Sequence, residues 1–151
     1  MATSQHLYVG YDSAAGIART LLTLHAERGL AIDVNVPPAL CVRAQPEDVD
    51  EMLGNLLDNA CKWAAARVEI SSSSTADEVL IVVDDDGPGL AVPLRETVLQ
   101  RGVRADEAAP GSGFGLAIVR DVAALYGGSI ALDASPAGGL RAILRLPALS
   151  R

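Results

Sequence analysis

The sequence predicts an α/β fold, a two-layer sandwich in which one mixed sheet packs on three helices. Three observations predict it. Short, strand-like segments recur at LAIDVNV (30–36), ALCVRA (39–44), ARVEISS (66–72), EVLIVVDDD (78–86), SIALDA (129–134) and LRAILRL (140–146). Residues 13–28, 46–66 and 113–126 instead repeat apolar residues every three or four positions, the helical period. The chain has 151 residues, half of them hydrophobic, which suffices for one core and is short for two.

Taken in order, the first helix carries Ile17, Leu21 and Leu24 and stops at Gly29, a residue suited to a left-handed C-cap. Pro37-Pro38 ends the strand that follows. Pro46 suits the first turn of the second helix, where Glu47, Asp48, Asp50 and Glu51 favour the positive end of the dipole. Strands 66–72 and 78–86 form an antiparallel hairpin. Residues 87–112 are rich in Gly and Pro and read as a long functional loop with one helical turn near 93–100. The third helix closes at Gly127-Gly128, and the last two strands join through Pro136 and Gly138-Gly139. The domain thus spans 13–147, with 1–12 a linker or non-native segment and 148–151 a tail.

Composition excludes several roles. Nineteen acidic residues against 12 basic ones give a net charge of −7, unfavourable for nucleic acid or an anionic membrane surface. No apolar run reaches the ~18 residues of a membrane span, and MATSQHLYVG is not a secretory signal, so a cytoplasmic domain is expected. Only Trp63, Phe114, Tyr8, Tyr11 and Tyr126 are aromatic, so the core must be built from Ala, Leu, Val and Ile. Cys41 and Cys61 are too few for a disulfide scaffold. With His6 and His25 they fit no metal-ligand spacing, and both are expected to be buried free thiols.

Three segments carry chemistry. On the 46–66 helix, Asn55, Asn59 and Lys62 fall within roughly 60° of one another at ~100° per residue. They form a polar stripe opposite Leu53, Leu56, Leu57, Ala60 and Ala64. Carboxamides are poor helix formers, so an ordinary solvated face would not favour them. They offer neutral oxygens to a hard cation, and the lysine offers a point charge to phosphate. Next, Asp84-Asp85-Asp86-Gly87-Pro88-Gly89 follows a buried strand. A carboxylate there can accept from an exocyclic amine, glycines can leave room for a flat ring, and an acidic turn is the plain alternative. Finally, Gly111-Ser112-Gly113-Phe114-Gly115-Leu116 opens a helix whose first N–H groups suit an anion. It follows no strand directly and lacks Gly-Lys-Ser/Thr, so it is neither a dinucleotide fingerprint nor a Walker loop.

Together, NLLDNACKW (55–63), DDGPG (85–89) and GSGFGLAIV (111–119) resemble the N box and two glycine boxes of sensor-histidine-kinase catalytic domains. That superfamily, with the Bergerat ATP-binding fold, includes gyrase, the Hsp90 chaperones and MutL. The wording of the boxes is closest to PhoQ-like kinases. The resemblance implies that Asn59 and Asn55 hold Mg²⁺ on the phosphates of ATP, that Lys62 contacts phosphate and that Trp63 lies beside the nucleotide. It implies that Asp85 accepts from the adenine amine in a pocket shaped by Gly87 and Gly89. Arg104, Gly111, Ser112, Gly113, Phe114, Gly115 and Leu116 would cover the triphosphate, the ATP lid spanning about 91–110. Leu99 stands where the family usually has Phe, and Ala109 where PhoQ-like members carry a basic residue.

The resemblance also implies partners: a phosphoacceptor histidine on a separate dimerisation hairpin, then a response regulator. Neither His6 (SQHLYV) nor His25 (TLHAER) has the acceptor context, and His25 is expected to be a partly exposed helix residue. The chain is expected to be a monomeric catalytic domain acting on a hairpin elsewhere. The other readings are an ATP-hydrolysing switch of the gyrase type, an anti-sigma-factor serine kinase and a non-catalytic nucleotide-binding module. The first two place a base four residues before the metal-binding Asn, where this sequence has Asn55.

Overall fold

The computed structural model describes residues 6–8, 11–37, 41–100 and 115–148, with backbone alone at 6–8, 11–13 and 41. Along the chain run β1 (His6–Tyr8), α1 (Tyr11–Leu24), a 3₁₀ turn (Ala26–Arg28), β2 (Ala31–Asn35), β3 (Cys41–Arg43), α2 (Pro46–Trp63) and β4 (Arg67–Ser74). There follow β5 (Glu78–Asp85), α3 (Val92–Val98), α4 (Gly115–Leu125), β6 (Ser129–Ala134) and β7 (Leu140–Pro147). Five strands form one sheet in the order β2-β4-β5-β7-β6. Strand β2 runs parallel to β4, and every other pairing in that sheet is antiparallel. The parallel pair requires a crossover, and α2 lies within it.

Alternation along the strands sorts the side chains by face. Val68 and Ile70 of β4, Val79, Ile81 and Val83 of β5, and Ala142, Leu144 and Leu146 of β7 are buried under the helices. The opposite face carries Leu80, Val82 and Ile143 at its middle and is cross-braced by Arg67–Asp33, Arg141–Asp84 and Arg145–Glu78. Helix α2 lies over β4 and β5 with α1 on one flank and α4 on the other. Its buried side is Val49, Met52, Leu53, Leu56, Leu57, Ala60 and Cys61, continued by Ala64 beyond its end. The predicted apolar stripe is thus the centre of the core.

The structure corrects four boundaries. The segment 1–12 is not all outside the fold, because β1 pairs antiparallel with β3 through His6↔Arg43, Leu7↔Val42 and Tyr8↔Cys41. The first helix ends at Leu24 rather than 28, and the chain tightens into the 3₁₀ turn before Gly29 closes it at φ 63°. The second ends at Trp63 rather than 66, with Ala64 extended at φ −61°, ψ 145°. The single turn near 93–100 is a seven-residue helix, α3, held in place at its C-cap by buried Leu99. Leu99 is an apolar anchor, so the first part of the predicted lid segment is fixed to the core. Residues 101–114, including Arg104 and Ala109, lie outside the described residues.

Among the described residues no helix is long and apolar enough to cross a membrane. Cys61 is a buried free thiol, pushed up to about 11 chiefly by desolvation and further by the charge of Asp58.

Candidate functional site

The site forms around the C-terminal half of α2. Asn55, Asn59 and Lys62 are half-buried on the side of the helix away from the core. The amide nitrogen of Asn55 donates to the Glu51 carbonyl at 2.9 Å, and its Oδ1 lies toward the start of α4. That oxygen lies 3.4 Å from where a Cβ on Gly115 would sit. The first residue of α4 therefore packs directly on the polar stripe, and Leu116 beside it is buried in the core. Gly111, Ser112, Gly113 and Phe114 lie outside the described residues.

The triple aspartate after β5 divides into three tasks, a division that follows from the two-residue period. Asp85 has the parity of Val79, Ile81 and Val83 and so points to the helix side, where it is 3% exposed. Its Oδ1 accepts from the Gly87 N–H at 2.9 Å and the Leu140 N–H at 3.2 Å. Desolvation raises its pKa, and the charges of Asp86 and Asp84 add to that; the two backbone donors act in the opposite sense. Asp84 faces the other way and takes a bidentate grip from Arg141, Nε at 2.8 Å and Nη2 at 3.0 Å. Asp86 reaches back to the α2–β4 connection, where Oδ1 accepts from the N–H groups of Ala65, Ala66 and Arg67 at 2.8, 3.0 and 3.1 Å. Those donors, Ala66 first, hold its carboxyl below the usual range.

Two glycines make this packing possible. A Cβ on Gly87 would sit 2.1 Å from the Trp63 carbonyl oxygen. Gly87 is thus a glycine because its loop presses on the end of α2, whereas the sequence suggested room for a ring. A Cβ on Gly139, in the β6–β7 turn, would fall 2.1 Å from Asp85 Oδ1 and 2.5 Å from its carbonyl oxygen. Gly89 adopts φ 76° beside the Gly139 carbonyl. Gly139 and the Leu140 N–H are site components that sequence reasoning missed; the only trace in the sequence was a glycine pair in a turn.

Cations gather at the same end of α2. The Arg28 guanidinium donates to the carbonyls of Cys61 and Ala64, and to that of Lys62 at 3.3 Å, capping the helix C-terminus. Lys62 pairs with Asp58 at 3.0 Å, one turn back. His25 approaches the other oxygen of Asp58 at 3.4 Å. It is partly exposed, as expected, and lies just past the end of α1 rather than within the helix. Among the described residues no three His, Cys, Asp or Glu cluster as a metal site. Any cation here would be held by amide oxygens together with ligand oxygens, the pattern of Mg²⁺ on a phosphate chain. Asn55, whose nitrogen is bonded within the helix, would offer its oxygen from the side of α2 next to Gly115.

Parts of three sequence segments far apart in the chain thus meet around one helix, α2 itself, Gly87 against Trp63 and Gly115 against Asn55. Comparisons with known proteins identify the class. Residues 44–150 match the family "histidine kinase-, DNA gyrase B-, and HSP90-like ATPase". The chain belongs to that family. It is similar to the sensor protein kinase CarS of Pseudomonas aeruginosa, 46% identical over 136 residues, which is 90% of this chain and 30% of that protein. Escherichia coli PhoQ is 38% identical over 125 residues, 83% of this chain and 26% of PhoQ. The chain therefore spans about a third or less of these curated relatives. Among solved structures, the ATP-binding domain of PrrB from Mycobacterium tuberculosis superposes with TM-score 0.78 at 28% identity, covering 96% of this chain and 97% of that one. The mycobacterial sensor histidine kinase MprB gives 0.76 at 25% identity over 93% and 96%. The fold and sequence are those of a histidine-kinase ATP-binding domain.

Proposed function

We propose that this chain binds Mg·ATP and presents the γ-phosphoryl group to a histidine on a phosphoacceptor hairpin, from which a response regulator would take it. The observation that supports this best is the convergence of the three boxes on α2, Gly115 against Asn55 and Gly87 against Trp63. In this reading Asp85 accepts from the adenine amine, with Gly87, Gly89 and Gly139 shaping the pocket around it. Trp63 flanks the nucleotide, and Lys62 contacts phosphate. Gly115 and Leu116 anchor the start of α4, and Arg104 and Gly111 to Phe114 would contribute phosphate contacts. Asn55 and Asn59 would hold Mg²⁺, which when bound neutralises charge on the phosphates and fixes their orientation.

The chain's own residues bind, orient and screen, which is most of what phosphoryl transfer requires. The nucleophile is the partner imidazole. No base is offered at the position where hydrolytic relatives place one, because Asn55 is a carboxamide, which does not take up a proton at neutral pH. A cytosolic site follows from the need for ATP. With γ-labelled ATP and Mg²⁺ the chain alone should stay unlabelled and hydrolyse little, while an added acceptor hairpin becomes labelled at histidine. Acid-labile label on His25, or substantial magnesium-dependent hydrolysis by the chain alone, would overturn the proposal, the latter in favour of a switch ATPase.

A further inference from the structure

Lys62 is the only lysine of the chain, and the reading above gives it a phosphate to contact. A lysine side chain is long and loses considerable rotamer freedom when ordered, so a lysine that must meet a phosphate is helped by something that holds it beforehand. Asp58 is placed to do so. It lies four residues before Lys62, one helical turn away, and the two are 3.0 Å apart with about a third of each side chain exposed. Its other carboxylate oxygen faces His25 Nε2 at 3.4 Å, across the gap between α1 and α2. The imidazole is 17% exposed and is carried at the end of α1, just before the turn whose Arg28 caps α2. The C-terminal end of α2 is thus held twice from the segment that follows α1, at its carbonyls by Arg28 and at the carboxylate beside Lys62 by His25.

We infer that Asp58 is a positioning residue for Lys62, with His25 bracing the Asp58 carboxylate, so that the ammonium group is ordered before nucleotide arrives. The inference rests on the proposed role of Lys62 at phosphate. Asp58 also competes with phosphate for the same ammonium, so its removal should release Lys62 and take one negative charge away from an anionic ligand. Loss of pre-ordering weakens Mg·ATP binding and loss of the competing charge strengthens it, so the order of the Lys62 chain end, and not affinity, is the readout that isolates this role.

The sequence allows a direct test. Labelling with ¹³C,¹⁵N-lysine gives nuclear resonance signals from Lys62 alone, and Trp63, the only tryptophan, reports nucleotide binding next door. In the nucleotide-free wild type the two Lys62 Hε protons should be distinct, as for an ordered chain end. In Asp58→Asn they should collapse to one averaged signal. Asp58→Glu, which keeps a carboxylate one turn away, should restore the distinct signals. His25→Ala should give a partial loss, and the double variant should be no worse than Asp58→Asn alone. Unchanged Lys62 signals in Asp58→Asn, in a protein whose thermal midpoint shows it folded, would overturn the inference. A wild-type Lys62 signal that ignores saturating Mg·ATP would instead count against the phosphate role, leaving the nucleotide-free comparison to judge Asp58.

Discussion

Asp85 shows what separates a residue kept for a ligand from one kept for the fold. Asn in its place would still offer Oδ1 to the Gly87 and Leu140 N–H groups without the cost of burying a charge. Asp85→Asn should therefore match or exceed the wild type in thermal midpoint, yet bind ATP more weakly, because a fixed acceptor becomes a group that can turn a donor to the adenine amine. GTP, lacking that amine, should bind poorly to the wild type. A titration paired with a melt decides it: a large drop in midpoint would make Asp85 a structural residue. Asp86 behaves oppositely with pH. Its folded pKa is lowered, so it contributes stability that is present above the unfolded carboxylate value of ~3.9 and lost as pH falls through the folded one. Asp85, raised by burial, contributes in the reverse sense, so protonation favours the folded state. The midpoint difference between wild type and Asp86→Asn should be largest near pH 7 and vanish in acid. Its persistence at low pH would assign the effect to shape rather than charge. Neighbouring aspartates thus respond to acid in opposite directions, which the letters DDD alone do not reveal.

At the level of elements, the polar stripe and the apolar stripe of α2 were legible because both obey one period over eighteen residues. Its end was not. Ala64-Ala65-Ala66 is as strong a helix-continuing run as the code allows, yet the helix stops at Trp63. Arg28 from the 3₁₀ turn takes the last carbonyls, and Asp86 from beyond β5 takes the N–H groups of Ala65, Ala66 and Arg67. Contacts over about 20 and 35 residues override local preference, and no window of sequence contains them. Strand β1 escaped for the same reason, since three residues have meaning only through β3. Gly139→Ala tests how tightly the turn is set against the site. Its Cβ would meet Asp85 and the Gly87 nitrogen within 2.6 Å, so it should cost about 1–3 kcal/mol, measured by denaturant unfolding, and shift the amide signals of Gly87 and Leu140. Arg141→Ala should cost a similar ~1–3 kcal/mol, because Asp84 is left largely buried without its bidentate partner. A cost near zero would mean water reaches Asp84 and replaces the pair.

For the whole molecule, the −7 charge and an anionic ligand repel, and in the proposed reading a cation on the amide stripe would reconcile them. Mg·ATP should accordingly raise the thermal midpoint by mass action, ATP without magnesium should raise it much less, and Asn59→Ala should erase most of the difference. The two glycine boxes, the N box and a mixed sheet on three helices were legible in the sequence, whereas the strand order, and with it the contributions of Gly139 and Leu140, depends on which strands become neighbours. That neighbour relation has a consequence in time. Strand β7 inserts between β5 and β6, and the Leu140 N–H that completes the hydrogen bonding of Asp85 lies 55 residues further along the chain. During synthesis, at ~5–20 residues per second, Asp85 emerges several seconds before its second donor. Until then β5 has an open edge beside a half-built pocket. A nascent chain released before residue 140 should fail to retain ATP and should need a chaperone, so translation itself sets when this site first becomes competent.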